Sequence, residues 1–226
     1  MKTWAIYIIN HGPIYPENYS KDLFFSEKNW KFFNINDNKL CYINLGKWWA
    51  ESEAIYNIYK SGIYKQYDYV GFIHYDFKLD HNGDYLITRL INNAINNFNF
   101  ISFSTYNFSN DYNQHIMMDE EQPNQLVGKG KNCYENIVKY YNEFFKKNIS
   151  INDIWHKKIN LCSSFLTRKD IFEDLMSFIS YIIESNILDK FDTEHKFRLQ
   201  GGMIERFIAV YSSQLNIYDL NLKHEK

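Results

Sequence analysis

The sequence predicts an α/β protein with a mostly parallel sheet and helices on both faces. Two observations carry that expectation. Strand-like and helix-like segments alternate from end to end, which is the pattern of a parallel sheet with crossover helices. Two of the strand-like runs, Trp4–Ile9 and Tyr69–Ile73, are apolar almost throughout, as strands buried on both faces must be. No repeat, linker or low-complexity tract divides residues 1–226, so one domain is expected.

Taken in order, Trp4–Ile9 reads as a buried strand stopped by the loop signal Asn10-His11-Gly12-Pro13. Residues 14–38 are polar-aromatic without a clear period, and Leu40–Leu45 is the candidate second strand. Lys47–Ser61 reads as a helix through the stripe Trp48, Ser52, Ile55 and Tyr59, with Gly62 placed to end it. The strand Tyr69–Ile73 ends at His74-Tyr75-Asp76. A helix over 84–97 follows, its buried face formed by Ile87, Leu90, Ile91, Ala94 and Ile95, and then a strand over 98–104.

Residues 105–131 read as a long loop, the usual setting for a lid or binding loop. Tyr134–Lys147 is amphipathic through Ile137, Val138, Tyr141, Phe144 and Phe145. Ile159–Leu166 is strand-like, and Asp170 is placed to cap a helix carrying Leu175, Ile179 and Ile182. A last helix carries Ile204, Phe207, Ile208 and Tyr211, and 216–222 is a closing strand.

The bulk numbers exclude several classes. A net charge of −2 with both signs interspersed offers no basic stripe, so nucleic acid is not an expected partner. Cys41, Cys133 and Cys162 are odd in number and lack CxxC spacing, which argues against a disulfide framework and a structural zinc site. No stretch approaches the roughly 20 apolar residues of a membrane span. The expectation is a soluble, cytoplasmic protein, with a peripheral membrane association left open.

Chemistry is expected beyond the carboxyl ends of the strands, where open α/β sheets bind their ligands. Two such ends are polar: Asn10-His11, and His74-Tyr75-Asp76 with Asp80 close behind. A carboxylate at the second of these, such as Asp76, suits Mg²⁺ or Mn²⁺ held against a diphosphate. The plain alternative is that Asp76 caps a turn and His74 is a packed histidine. Gly128-Lys129-Gly130-Lys131 fits no phosphate-binding loop. Cys162, inside a predicted strand, reads as an inert buried thiol. Glu51 and Glu205 sit among apolar helical neighbours. Such residues usually lie on a solvated face, but a Glu205 turned into the cleft would suit a general base.

Four segments together resemble the DUF4422 family of polysaccharide glycosyltransferases. They are Ala50–Ser61 with its Glu51, Tyr69–Tyr75, Ile159–Phe172 and Gly201–Phe207, in matching order and spacing across most of 46–215. One departure stands out: where that family has His-Tyr-Arg-Arg, this chain has His74-Tyr75-Asp76-Phe77, closer to the DxD metal motif of GT-A enzymes. The resemblance implies a GT-A-like, Rossmann-like fold and transfer of a sugar from a nucleotide-sugar donor to a glycan, protein or lipid-linked acceptor. It implies donor contacts from Asn10, His11, Glu51, His74 and Arg206, with either Arg206 or Arg198 pairing with phosphate. Glu205 is the expected general base, and Asp76, which the family pattern does not supply, is the expected catalytic and metal-binding residue, holding Mn²⁺ or Mg²⁺ with help from His74 or Asp80. The competing readings are a non-catalytic carbohydrate- or nucleotide-binding module, which the two missing arginines would suit, and a structural or interaction protein.

Overall fold

The computed structural model describes residues 2–10, 28–35, 43–45, 49, 51–74, 83–113, 133–190 and 199–222. Among these, six strands form one sheet in the order β2-β1-β3-β7-β4-β8. They are β1 (Trp4–Asn10), β2 (Trp30–Asn34), β3 (Tyr69–His74), β4 (Phe100–Ser102), β7 (Phe165–Arg168) and β8 (Ile217–Asp219). The pairs β1–β2, β1–β3 and β4–β8 are parallel. β7 is antiparallel to both of its neighbours, β3 and β4, so five strands run one way and β7 alone runs back. β5 (Thr105–Asn107) and β6 (Lys158–Asn160) form a separate antiparallel ribbon.

The expected alternation on a doubly covered sheet is explicit in β1. Ala5, Tyr7 and Ile9 enter one core, and Trp4, Ile6 and Ile8 enter the other. The larger core is covered by α1 (Glu51–Ser61), α3 (Cys133–Phe145), α5 (Lys169–Glu184) and α6 (Leu199–Ser212). The other is covered by α2 (Gly83–Ala94) through Ile87, Ile91 and Ala94. A short helix α4 (Ile151–Ile154) precedes β6, with a Ser150–Asp153 capping box at its start.

Aromatic rings fill much of the larger core. Phe72 meets Phe165 and Phe172 at 5.5 and 5.4 Å, and Phe178 meets Phe207 at 5.6 Å. Pairs of this geometry add roughly 0.5–1.5 kcal/mol each beyond their buried area. Gly71 is required where β3 and β7 touch: a Cβ there would stand 2.7 Å from the Phe165 carbonyl oxygen and 2.9 Å from Leu166 Cδ1. Gly62 ends α1 in the left-handed region, φ 71°, as its position predicts.

Several expectations are corrected. The second strand is Trp30–Asn34, not 40–45; residues 43–45 are not in a strand, and 40–42 lie outside the described residues. It is an edge strand with half-buried Lys31 and Phe32, so it lacks the continuous apolar run that marks β1. The single strand expected over 159–166 is two strands, β6 and β7, separated by a turn. Leu90 is 40% exposed and not on the buried face of α2. Asp170 lies inside α5 instead of capping it. Arg168 holds the cap position, and Asp170 pairs with its guanidinium at 2.5 Å. The loop expected over 105–131 begins with β5 and a helical turn over 108–113; 114–131 lie outside the described residues. Among the described residues, no helix is long and apolar enough to cross a membrane.

Candidate active site

The register places the two polar strand ends on one rim. β1 and β3 run in parallel with Ile9 opposite His74, so Asn10 and His74 emerge at the same carboxyl edge. Ser102 ends β4 and Asp219 ends β8 on this side, and β7 starts here because it runs the other way. Among the described residues, the rim is therefore lined by the ends of five strands, Asn34 of β2 included, and by the turn leading into β7.

That turn is unusual. Cys162 and Ser163 are consecutive non-glycine residues with positive φ, 61° and 48°, a conformation that costs about 1 kcal/mol or more per residue. It is held by a buried polar network. Asn160 Nδ2 donates to Ser102 Oγ and to the Ser164 carbonyl, each at 2.7 Å. The Asn160 backbone N–H donates to Ser212 Oγ of α6 at 3.0 Å, and the His74 N–H donates to Ser164 Oγ at 3.2 Å. Buried Ser163 Oγ and Asn160 Oδ1 have no hydrogen-bond partner, which leaves unmet polar capacity beside the rim. Cys162 is thus in a turn and half-buried, not a core thiol inside a strand.

Four expected site residues come together here. Glu51, at the first position of α1, is buried, and its Oε1 hydrogen-bonds to His74 Nε2. Glu205 and Arg206 of α6 face the same space. Glu205 Oε2 accepts from Arg206 Nη1 at 3.0 Å, and its side chain keeps 25% exposure. Burial pushes the Glu205 carboxyl above its ordinary value; Arg206 pulls it back, Glu51 and Asp111 push it up, and His74 pulls it down. Neither glutamate lies on a solvated face.

Arg206 is itself buried, with 11% of its side chain exposed. Besides Glu205, its guanidinium reaches the Gly202 carbonyl at 3.1 Å and Asp111 Oδ1 at 3.7 Å. Burial works against its charge, but Asp111 and Glu205 outweigh that and raise its pKa. The structure sets it against carboxylates within the protein, a different setting from an exposed phosphate clamp. Asn10 is 3% exposed at the end of β1. His11, Asp76 and Asp80 lie outside the described residues.

Three participants escaped the sequence. Asp111, from the helical turn over 108–113, is buried and accepts from the Tyr134 hydroxyl. Tyr106, 36% exposed on β5, hydrogen-bonds through its hydroxyl to Cys162, stands near Glu205, and has its pKa pushed up to about 12, first by burial. Asn160 ties the turn to β4 and α6. Its one legible signal was an amide between the apolar residues Ile159 and Leu161.

Among the described residues, no group of three or more His, Cys, Asp or Glu side chains is arranged to hold a metal ion. The ring nitrogen that His74 directs at Glu51 is already engaged, so a cation bound by that atom would have to displace or share the carboxylate.

A solved structure shares this fold. Over 96% of the present chain, it superposes on a protein described as a bifunctional glycosyltransferase, WbbM, in its apo form. The TM-score is 0.66, at 16% sequence identity. The chain shares its fold with a glycosyltransferase. It spans 44% of that protein's length, less than half. No protein-family model matches the chain, so the DUF4422 resemblance gains no support from that direction, and no curated protein matches it either.

Proposed function

We propose that the chain is a GT-A-type glycosyltransferase domain that moves a sugar from a nucleotide-sugar donor to a hydroxyl acceptor on a glycan, protein or lipid-linked carrier. The observation that carries this reading is Glu205: a buried, partly accessible carboxylate of raised pKa at the carboxyl rim of the parallel strands, where α/β sheets bind ligands. The shared fold is consistent with it.

In an inverting transfer, Glu205 accepts the proton of the acceptor hydroxyl as that oxygen bonds to the anomeric carbon. The bond from the anomeric carbon to the diphosphate oxygen breaks in the same step, and the nucleoside diphosphate leaves with the electron pair. A raised pKa makes Glu205 a better base near neutral pH than an exposed glutamate. Glu51 orients His74 toward the donor through their hydrogen bond, Asn10 meets the nucleotide from the end of β1, and His11 is a further donor contact. Arg206 holds Glu205 in place. Asp76, with His74 or Asp80, would hold a divalent cation, which when bound would supply charge neutralisation for the leaving diphosphate.

The test combines calorimetric titration with UDP, GDP and their sugars, with and without Mn²⁺, and measurement of nucleoside diphosphate release. One nucleotide sugar should bind and turn over. Glu205→Gln should still bind it but not turn it over, and Asp76→Asn should lose the metal dependence. Binding without turnover in the wild type would favour the non-catalytic module, which the absence of the two arginines suits. No binding of any nucleotide or nucleotide sugar would overturn the transferase reading and favour a structural or interaction protein.

A further inference from the structure

Asp111 has no task in the mechanism above, yet it is buried among the charges that surround the candidate base. Arg206 stands between two carboxylates, with Nη1 on Glu205 Oε2 at 3.0 Å and Nη2 facing Asp111 Oδ1 at 3.7 Å. The Arg206 and Asp111 side chains are 11% and 8% exposed, so water screens their interaction weakly. The other oxygen of Asp111 accepts from the hydroxyl of Tyr134, which is itself buried. The helical turn over 108–113 and helix α3 thus converge on α6 through one charge chain: Tyr134, Asp111, Arg206, Glu205.

We infer that Asp111 is a positioning residue that takes a share of the Arg206 guanidinium and so sets how strongly that charge acts on Glu205. The inference rests on Glu205 being the base. A guanidinium bound wholly to Glu205 would make it a weak base by favouring the carboxylate; a second carboxylate on the same guanidinium relieves that pull. Asp111 also repels the Glu205 charge directly, and both effects have the same sign. The other groups facing this pair are Glu51, which acts with Asp111, and His74, which acts with Arg206. Tyr106 faces Glu205 from β5, and Tyr134 and Cys133 face Arg206 from α3.

The experiment is a pH titration of the full chain labelled with [δ-¹³C]glutamate, with the Glu205 signal assigned by its loss in Glu205→Gln. In Asp111→Asn, the Glu205 midpoint should move to lower pH, and in Asp111→Glu it should return toward the wild-type value. An unmoved or raised midpoint in a folded Asp111→Asn protein overturns the inference. If that variant does not fold, Tyr134→Phe decides. Loss of the donor leaves Asp111 with more charge to direct at Arg206, so the midpoint should rise, and an unchanged or lower midpoint overturns the inference. The titration needs no substrate and is separable from the base assignment. A shifted midpoint with an unshifted acid limb in the pH–rate profile of nucleoside diphosphate release keeps Asp111 in this role and removes Glu205 as the base.

Discussion

The two ends of the central sheet are both rich in charge and differ in what they do with it. At the amino end of β1 and β3, a cleft of 490 Å³ is lined by Lys2, Asp68, Tyr69, Arg168, Lys169 and Asp170. Its charges are hydrogen-bonded locally: Arg168 grips Asp170 at 2.5 and 2.6 Å and Asn99 at 3.1 Å, Asp68 accepts from Thr3 at 2.8 and 3.0 Å, and Lys2 donates to the Ile95 carbonyl at 2.6 Å. The Arg168 and Asp170 side chains are 43% and 58% exposed. At the carboxyl end, Glu51, Glu205, Arg206 and Asp111 are held largely out of water. Charges removed from solvent oppose folding unless each is paired, so a cluster of them signals a site more strongly than a cleft does.

The largest expected break in this comparison is at Glu205. Glu205→Gln should lower turnover by about 100- to 10,000-fold, the range for loss of a general base, with circular dichroism unchanged. Next is Glu51→Gln, which replaces the carboxylate bound to His74 with a neutral amide; about 1–3 kcal/mol of stability should be lost, along with donor affinity, as read by denaturant unfolding and calorimetry. Gly71→Ala, midway between the ends, forces a methyl group against the Phe165 carbonyl. It should destabilise by about 1–3 kcal/mol through overpacking, visible in denaturant midpoints.

At the amino end the expected effects are small. Arg168→Ala should change stability by less than about 1 kcal/mol, as exposed ion pairs do, and leave turnover unchanged. The same end contributes to acid sensitivity. Backbone and side-chain hydrogen bonds from Thr3 lower the Asp68 pKa, and the hydrogen bond from Arg168 lowers that of Asp170. Because the folded values lie below the unfolded ones, this stability is present at neutral pH. It is lost as pH falls through and below the ordinary carboxylate range. Thermal midpoints measured against pH should show the loss, and added salt should reduce it.

The two ends were also unequally legible. β1 and β3 announced themselves by nearly unbroken apolar runs with polar stops at Asn10 and His74, and their parallel pairing is what brings those two stops to one rim. β2 and the break between β6 and β7 did not. The first is a half-exposed edge strand, and the second turns through Cys162 and Ser163 in a conformation that no propensity foresees. Glu51 and Glu205 were visible as charges at apolar helical positions. Asp111 was not, because its meaning lies in tertiary packing: nothing within 105–113 says that Arg206, almost a hundred residues later, will lie against it.

The central claim is that donor chemistry belongs to the carboxyl rim. A titration of ¹⁵N-labelled protein with UDP- and GDP-sugars, followed through amide chemical shifts, tests it most directly. One donor should move the signals of Asn10, His74, Ser164 and Glu205 and leave those of Thr3, Asp68 and Lys169 in place. Shifts confined to Thr3, Asp68 and Lys169, or no shifts with any donor, would contradict it.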